Sequence, residues 1–419
     1  MRYEMLSLIS FGYFCIRKKM FCIMKACLNT FSSGQGDCIF LCLVNDDKKY
    51  TIMVDCGEFT PTIEKFVRQT LSNHIDLLII THIDCDHING VSDMLKKIPD
   101  ITIGQIFYNC CQEIDTDESI EMSSVVKQDI EKLQSNLPPR VLTTDGKVNM
   151  EKAAVLVEQI MNNANWNNAW NRNYIHNHSA NYSLGEGFGH LIFLAPTLNE
   201  IESIDKSFAR EYMRLTTHRL IDLPFKGKEV LYELVRKIVL MKNKEIEIQR
   251  SRKINLLHNR YTMDKWEYAK NFKPGTVSKE NSASIAFLWE CNDKRILFLG
   301  DSDPYIIQKS LEERPDINLP MNFEAIKVSH HGSKHSTTNE LMNLIDSQHY
   351  FVTGGNRTNK PSLETFAKIV MRNDNIQRVI HYNNKTNKII IDLQNEDLRD
   401  IKEIYNFQIT DNNEQVFEY

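Results

Sequence analysis

Residues 81–90 read THIDCDHING, and this stretch decides how the rest of the sequence is interpreted. It continues an apolar run of buried-strand length, IDLLIITH. Four of its side chains can bind metal, namely His82, Asp84, Asp86 and His87. A tight loop after a strand can direct the first pair at one cation and the second pair at another. The alternative is a polar loop that caps a helix, with Asp86 as the cap. Four such residues within six positions favour a metal site.

The surrounding sequence predicts alternating strands and helices. Three short strands with tight connections are predicted over residues 24–57, and a helix over residues 61–73. A helix over Gly90–Ile98 and a strand over Ile101–Tyr108 follow the cluster. Polar residues at the carboxyl end of a strand, followed by a helix, are typical of active sites in α/β proteins.

The β pattern returns from Ser282 and supplies further metal ligands at two more strand ends. Asp301 follows the apolar run ILFLG, and His330 and His331 follow AIKVS within a predicted strand AIKVSHHGS. A carboxylate at position 301 can bridge two cations. The alternatives are a turn residue at position 301 and a structural hydrogen-bonding role for either histidine. The joint pattern favours a two-metal site.

Together these motifs resemble the metallo-β-lactamase fold, and within it the hydrolase domain of the competence protein ComEC and its stand-alone relatives. HxDxDHxxG at 82–90, GD at 300–301 and HHGS at 330–333 carry the resemblance. SSGQGDC resembles the opening glycine loop of that subgroup, and MVDCG the strand with a supporting aspartate, here Asp55. The resemblance implies an α/β fold, an αββα metallo-β-lactamase sandwich over residues 24–419. A large, helix-rich insertion at about 112–280 interrupts it.

The sequence departs from the commonest motif of that fold, HxHxDH, because Asp84 replaces the second histidine. Three carboxylates and about three imidazoles make an oxygen-rich site for two divalent cations, zinc or manganese, with magnesium as a further candidate. No obvious third-motif histidine stands between the two halves. Asn281 or Ser282 lies where the subgroup often has small polar residues. Lys360 stands where relatives often have a histidine before proline, and it can hold a phosphate but cannot bind metal while protonated.

The site residues are expected to take the following roles. One cation is held by His82, Asp84 and Asp301. The other is held by Asp86, His87, Asp301 and one of His330 or His331. The remaining histidine, or Asp86, is the candidate proton donor or acceptor, so the expected catalytic residues are Asp86, His330 and His331. Substrate is expected to meet Gly36 and Asp37 at the rim, and Ser333 and Lys360 at a phosphate.

Composition limits the class of protein. The chain has 419 residues and a formal net charge of −5, which argues against coating nucleic acid by bulk charge. Nine of the ten cysteines lie in the first 111 residues without a CxxC pair, which predicts reduced thiols in the cytoplasm. The apolar run Met5–Ile16 is too short to span a bilayer, so no transmembrane segment is predicted. Residues 1–23 are interpreted as preceding the native start or as a disordered segment; a short membrane-contacting segment is the alternative.

The predicted insertion is polar and rich in asparagine, with one strand, GHLIFLAPT, and a long amphipathic helix over about 228–253. Its tripeptide at 176–178, HNH, resembles a nuclease signature only in three letters and is interpreted as a solvated loop. The basic residues between 250 and 260 are interpreted as a solvated face.

The resemblance favours a phosphodiesterase that acts on DNA. A small-molecule hydrolase acting on an ester, lactone or cyclic nucleotide is the alternative, and an inactive relative is a further one. A third class is an effector subunit of a multi-protein defence system, which would bind its protein partner through the insertion. A nuclease should carry a positive groove beside the metals, with candidates Lys327, Lys334, Arg357 and Lys360.

Overall fold

The computed structural model describes residues 24–110, 145–204, 262–315, 317–355, 360–372, 374, 376–383, 390 and 399–418. The predictions for residues 1–23, for the helix over 228–253 and for the basic residues at 250–260 lie outside these ranges.

The first sheet has six strands. Their bounds are Lys25–Thr30 (β1), Ile39–Asn45 (β2), Lys48–Val54 (β3), His74–Ile80 (β4), Thr102–Tyr108 (β5) and Glu414–Glu418 (β16). The order is β16-β1-β2-β3-β4-β5, antiparallel up to β3 and parallel from β3 to β5. The carboxyl ends of β3 and β4 therefore share one edge, where Asp55 and the 81–90 cluster follow.

The second sheet has eight strands. Their bounds are Tyr182–Ser183 (β6), His190–Ala195 (β7), Ala286–Cys291 (β8), Lys294–Phe298 (β9), Ala325–Lys327 (β11), His349–Val352 (β13), Arg378–Tyr382 (β14) and Phe407–Thr410 (β15). A small parallel pair joins Met321–Phe323 (β10) to Ile345–Ser347 (β12). The order is β15-β14-β13-β11-β9-β8-β7-β6, and β9, β11 and β13 are parallel neighbours. Asp301, the histidine pair and Thr353 therefore follow strands that end at one edge.

Helices cover the outer face of each sheet. On the first sheet they are Pro61–Lys65 (α1, continued by a π-helical turn, Phe66–Thr70), Cys85–Lys97 (α2), Asp145–Asn162 (α3) and Ala164–Ala169 (α4). The remaining described helices are Met263–Lys270 (α5), Lys279–Ser282 (α6), Pro304–Glu312 (α7), Asn339–Leu344 (α8), Leu363–Val370 (α9) and Arg399–Tyr405 (α10). Among them α5, α7, α8, α9 and α10 supply side chains to the core beside the second sheet.

Alternation along the strands divides the core into three layers. In β2, Ile39 and Leu41 face the second sheet, whereas Phe40 faces the helices. Between the sheets, Phe287 and Phe298 are cross-strand partners, and their rings stack 4.7 Å apart. Apolar cross-strand pairs of this kind stabilise a sheet interface. The molecule is thus an α/β, four-layer αββα sandwich, and the predicted fold class is confirmed.

Three local predictions differ from the structure. Helix α2 begins at Cys85 instead of Gly90, so half of the metal-type cluster lies in its first turn. The strand predicted as AIKVSHHGS ends at Lys327, and a short 3₁₀ turn, Ser329–Gly332, carries both histidines. Strands β15 and β16 had no counterpart among the predicted elements, because their polar alternation lacks a continuous apolar run.

Candidate metal centre

The N-terminus of α2 presents the first half of the site. Asp84 is the N-cap residue, with extended backbone, and Asp86 and His87 lie in the first helical turn. A Cβ atom at Gly36 would lie 1.4 Å from the Asp86 carbonyl oxygen, and one at Gly57 2.3 Å from it. The opening glycine loop therefore packs directly on the backbone of the cluster. This contact, rather than a rim position, explains the glycine at position 36.

Asp55 orients His87 from beneath. Its carboxylate accepts hydrogen bonds of 2.7 Å from both the backbone N–H and the hydroxyl of Thr81. It also accepts one of 2.8 Å from Nδ1 of His87. The other ring nitrogen, Nε2, lies 3.4 Å from Oδ2 of Asp301. A carboxylate behind an imidazole fixes the ring and its tautomer in the way that metal-ligating histidines require.

His331 is held in a corresponding manner from the second sheet. Its Nδ1 lies 2.9 Å from the carbonyl oxygen of Thr353 and 3.2 Å from Oδ1 of Asp37. Its Nε2 lies 3.4 Å from Oδ2 of Asp86 and 3.6 Å from Oδ2 of Asp301. One ring nitrogen is therefore anchored, and the other points at two carboxylates.

Several buried ligand atoms at this point have no hydrogen-bond partner within the described part of the chain. They are Nε2 of His82, Nε2 of His87, Nε2 of His331 and Oδ1 of Asp301. Buried polar atoms are nearly always paired. Two overlapping groups, His82–His87–Asp301 and Asp86–His87–His331, each bring one ligand atom per residue within 4.8 Å of the others. The residues thus fit divalent cations in both chemistry and spacing.

Asp84 lies on the outer side of this group. Its Oδ2 is 3.6 Å from Nε2 of His82, whose Nδ1 is 3.0 Å from the hydroxyl of Thr81. The rings of His82 and His87 are 4.2 Å apart. The structure therefore brings together the metal-type residues predicted from both halves of the chain.

His330 has different surroundings from its neighbour His331. Its Nε2 contacts Nζ of Lys360, lies 3.1 Å from Nδ2 of Asn281 and 3.6 Å from Oδ2 of Asp301. Its Nδ1 lies 3.2 Å from the hydroxyl of Ser336. Neither ring nitrogen is orphaned, and the side chain is 17% exposed, against 1% for His331.

Asp37 lies beneath the site, and the structure does not place it at a rim. It is 1% exposed, forms an ion pair with Lys327, which is equally buried, and accepts a hydrogen bond from the hydroxyl of Thr353. Nζ of Lys327 also donates to the carbonyl oxygen of Gly300 at 3.0 Å and lies 3.7 Å from Oδ1 of Asp301. Lys327 is therefore inaccessible to a nucleic acid groove.

The pKa values of the two neighbouring histidines are shifted in opposite directions. Burial acts to lower the pKa of His331, but Asp301 and Asp37 outweigh it and raise that pKa to about 9. Burial lowers the pKa of His330 to about 3, with Lys360 and His331 adding to it against Asp301. Burial would raise the pKa of Asp37, yet Lys327 and then His331 hold it well below its usual range. More carboxylate groups therefore lie beside His331 than beside His330.

Two supporting residues had no recognised signal in the sequence: Thr81 and Thr353 support the ligands from strand ends. Asn281, which the resemblance had singled out together with Ser282, reaches His330. The lysine within the apolar run AIKVS was the available signal for Lys327, because a lysine in a buried strand needs a partner. Ser333 is buried, and its backbone carbonyl accepts a hydrogen bond of 3.1 Å from Thr365.

Comparison with known proteins places part of this architecture in a known class. Residues 33–105 match the model of the Metallo-beta-lactamase superfamily. That segment holds the opening glycine loop, Asp55 and the 81–90 cluster, whereas Asp301 and the histidine pair lie beyond it. Together with the four-layer sandwich, the match gives the class of fold as metallo-β-lactamase.

One curated relative is similar over a shorter stretch. It is a hydroxyacylglutathione hydrolase from Photobacterium profundum, 28% identical over 64 residues. The similar stretch is 15% of this chain and 25% of that protein's length. No described helix has the length and apolar character needed to cross a membrane.

Proposed function

We propose that this protein is a metal-dependent hydrolase that cleaves phosphodiesters, with DNA as its substrate, and that it is related to the ComEC-like subgroup. The observation that supports this proposal most directly is the convergence of four orphaned, buried ligand atoms from two sheets. When bound, a pair of divalent cations lowers the pKa of bound water and stabilises the entering and leaving oxygens of a displacement.

We infer the ligand set from the residue types and their proximity. His82, Asp84 and Asp301 would hold one cation. Asp86, His87, Asp301 and His331 would hold the other, since His331 has the orphaned nitrogen and His330 does not. The three carboxylates favour manganese or magnesium as well as zinc.

The remaining side chains act on the substrate and its protons. His330 lies within 3.6 Å of Asp301 on the exposed side, where its neutral ring can accept a proton during the reaction. Asp86 is the second candidate for that role, because its carboxylate is only partly buried. Lys360 lies beside His330 and supplies a positive charge for a phosphate.

A small-molecule hydrolase is the second candidate function. The similarity of a 64-residue stretch of this chain to a hydroxyacylglutathione hydrolase favours it. An effector role through a protein partner is compatible with either activity. About half of its expected docking surface, the insertion at about 112–280, lies outside the described residues.

Incubation of the purified protein with single- and double-stranded DNA tests the proposal, with manganese, magnesium or zinc added in turn. An Asp301→Ala, His87→Ala double variant removes two ligands. A His74→Ala, Asp76→Ala variant is the matched control, since it removes a His–Asp pair 3.1 Å apart at the opposite end of β4. Cleavage by the native protein and the control, but not by the ligand variant, is expected. Metal-loaded native protein that cleaves neither DNA under any cation would contradict the proposal.

A further inference from the structure

Two of the candidate ligand histidines are supported by one buried carboxylate, but they are connected to it differently. Nδ1 of His87 lies 2.8 Å from Oδ2 of Asp55, so this ring donates to the carboxylate directly. Nδ1 of His82 instead lies 3.0 Å from the hydroxyl of Thr81. That hydroxyl lies 2.7 Å from the same Oδ2 of Asp55. The contacts from His82 through Thr81 to Asp55 therefore form a hydrogen-bond relay.

The direction of the hydrogen bonds in this relay follows from the protons that each group carries. A carboxylate oxygen has no proton to donate, so the single hydroxyl proton of Thr81 points at Asp55. The hydroxyl oxygen then offers His82 only its lone pairs, and Nδ1 of His82 must be the donor. A neutral imidazole carries one N–H, so its Nε2 holds a lone pair. Nε2 of His82 is one of the buried nitrogens without a hydrogen-bond partner in the described part of the chain.

Thr81 is fixed in place from both sheets. Its backbone N–H donates to Oδ1 of Asp55 at 2.7 Å, and its carbonyl oxygen accepts from the backbone N–H of Ile285 at 2.9 Å. Thr81 directly follows β4 of the first sheet, and Ile285 directly precedes β8 of the second. Thr81, His82 and Asp55 are each at most 4% exposed. Solvent is therefore excluded from the relay, and the Thr81 hydroxyl has to supply the hydrogen bond that fixes the ring of His82.

We propose that Thr81 is a positioning residue for the cation that His82 binds. Its hydroxyl holds the imidazole in the tautomer with the proton on Nδ1, so that Nε2 is available to a metal beside Asp84 and Asp301. This inference rests on the metal centre of the proposed function and adds to it a residue outside the ligand set.

The second cation is expected to be independent of the Thr81 hydroxyl. Asp55 holds His87 directly, and the carbonyl oxygen of Thr353 lies 2.9 Å from Nδ1 of His331. Loss of the Thr81 hydroxyl leaves both of these contacts in place. The two cations should therefore respond differently to one substitution, which a general loss of packing would not produce.

The first test is the tautomer of His82 in the metal-free protein, measured by nitrogen NMR of the imidazole rings at an alkaline pH that keeps the ring neutral. Thr81→Val keeps the shape of the side chain and removes the hydroxyl, whereas Thr81→Ser keeps the hydroxyl. Thr51→Val is the matched control, because Thr51 is a buried threonine in β3 of the same sheet. We expect the proton on Nδ1 in the native protein, Thr81→Ser and Thr51→Val, and on Nε2 in Thr81→Val. A proton on Nε2 in the native protein would overturn the proposal, whatever the variants show.

The second test is competition between the metal-loaded protein and a chelator, with manganese as the probe. Thr81→Val should bind one of two manganese ions about 10- to 100-fold more weakly and the other with native affinity. Thr81→Ser should recover most of the loss, and Thr51→Val should show none. Equal weakening of both ions, native affinity for both, or a failure of Thr81→Ser to recover the loss would overturn the positioning role.

Neither test depends on turnover, so the proposed function and the role of Thr81 can fail separately. A native protein that binds two cations but cleaves no DNA would overturn the proposed hydrolysis, and the two tests would still decide the role of Thr81. A native protein that binds no divalent cation would overturn both.

Discussion

The centre has a buried side and an open side, and the two differ in how their imidazoles are held. On the buried side, His87 and His331 each anchor Nδ1 on an oxygen and leave Nε2 orphaned among carboxylates. On the open side, both nitrogens of His330 have polar neighbours, which include Lys360 and Asn281.

This difference shows that sequence adjacency does not give two residues the same role. His330 and His331 are neighbours with similar left-handed backbone, at φ 50° and 54°. Both side chains approach Asp301, but His331 also faces Asp86 and Asp37, whereas His330 also faces Lys360. We infer that the buried side holds metal and that the open side binds substrate.

The largest expected effect follows from removing the carboxylate that both sides share. An Asp301→Asn variant should lose measurable activity and at least one metal, since an amide is a poorer ligand and carries no charge. Metal content per chain and DNA cleavage measure this. Asp303→Asn is the matched control; it alters a helix N-cap whose Oδ1 accepts from the Tyr305 backbone N–H at 2.9 Å, and it should keep both metals. Native metal content in Asp301→Asn would contradict the shared role.

A stability measurement tests the buried ion pair that lies beneath the metal ligands. Lys327→Met removes the strongest of the positive neighbours of the buried Asp37 and leaves the weaker His331 beside it. Breaking a buried pair in this way costs about 3–5 kcal/mol of unfolding free energy. Urea unfolding of the metal-free protein checks this value. The double variant Lys327→Met, Asp37→Asn removes both charges and should recover a large part of the loss. A single variant as stable as the native protein would show that the pair is not needed there.

A smaller effect is expected from the support of His87. Asp55→Asn keeps the shape but weakens the acceptor that orients the ring, and such changes typically cost about 10- to 100-fold in metal affinity. Competition with a metal chelator measures it. Asp76→Asn serves as the control, because Asp76 accepts the Thr51 backbone N–H at 2.7 Å in the same sheet but lies away from the centre. Equal metal affinity in Asp55→Asn and the native protein would count against the orienting role.

The smallest effect concerns His381, a buried histidine that has no carboxylate beside it in the described part of the chain, in contrast to His87 and His331. Nε2 of His381 lies 2.9 Å from Nδ1 of His349, and its Nδ1 lies 2.8 Å from the carbonyl oxygen of Asn412. Burial lowers the pKa of His381 to about 4.

The sign of the resulting pH dependence follows from proton uptake. Between pH 6.5 and 4 the unfolded chain binds a proton that the folded chain does not, so stability falls as the pH falls. Unfolding free energy should drop by about 1 kcal/mol between pH 6.5 and 5.5 from this group. A His381→Gln variant should show a shallower pH dependence in urea titrations. An unchanged slope would refute this assignment.

The sequence predicted the parts of the fold that rest on long apolar runs. The run IDLLIITH became strand β4, and the αββα class was implied by the resemblance of the motifs to the metallo-β-lactamase fold. The start of α2 was misplaced, because Cys85, Asp86 and His87 were interpreted as part of a ligand-bearing loop and not as a first helical turn. Strand β16 was missed since it is stabilised by pairing with β1, almost four hundred residues earlier, rather than by its own apolar content.

The residue types of the candidate site were predicted from the sequence, but the burial of each residue was not. Spacing identified the ligand types, yet it could not separate His330 from His331, because their environments depend on Thr353, Asn281 and Lys360. Asp37 was expected at the rim because its loop resembles the opening glycine loop of the ComEC-like subgroup. Its burial became visible only once Lys327 was placed beside it.

Metal content of two single variants tests the central inference most directly. His331→Ala and His330→Ala should be purified, loaded with manganese or zinc, and measured for bound metal per chain. We predict that His331→Ala loses one of two metals, whereas His330→Ala retains both and is impaired only in substrate turnover. Loss of metal from His330→Ala with full occupancy in His331→Ala would contradict the assignment of the buried and open sides.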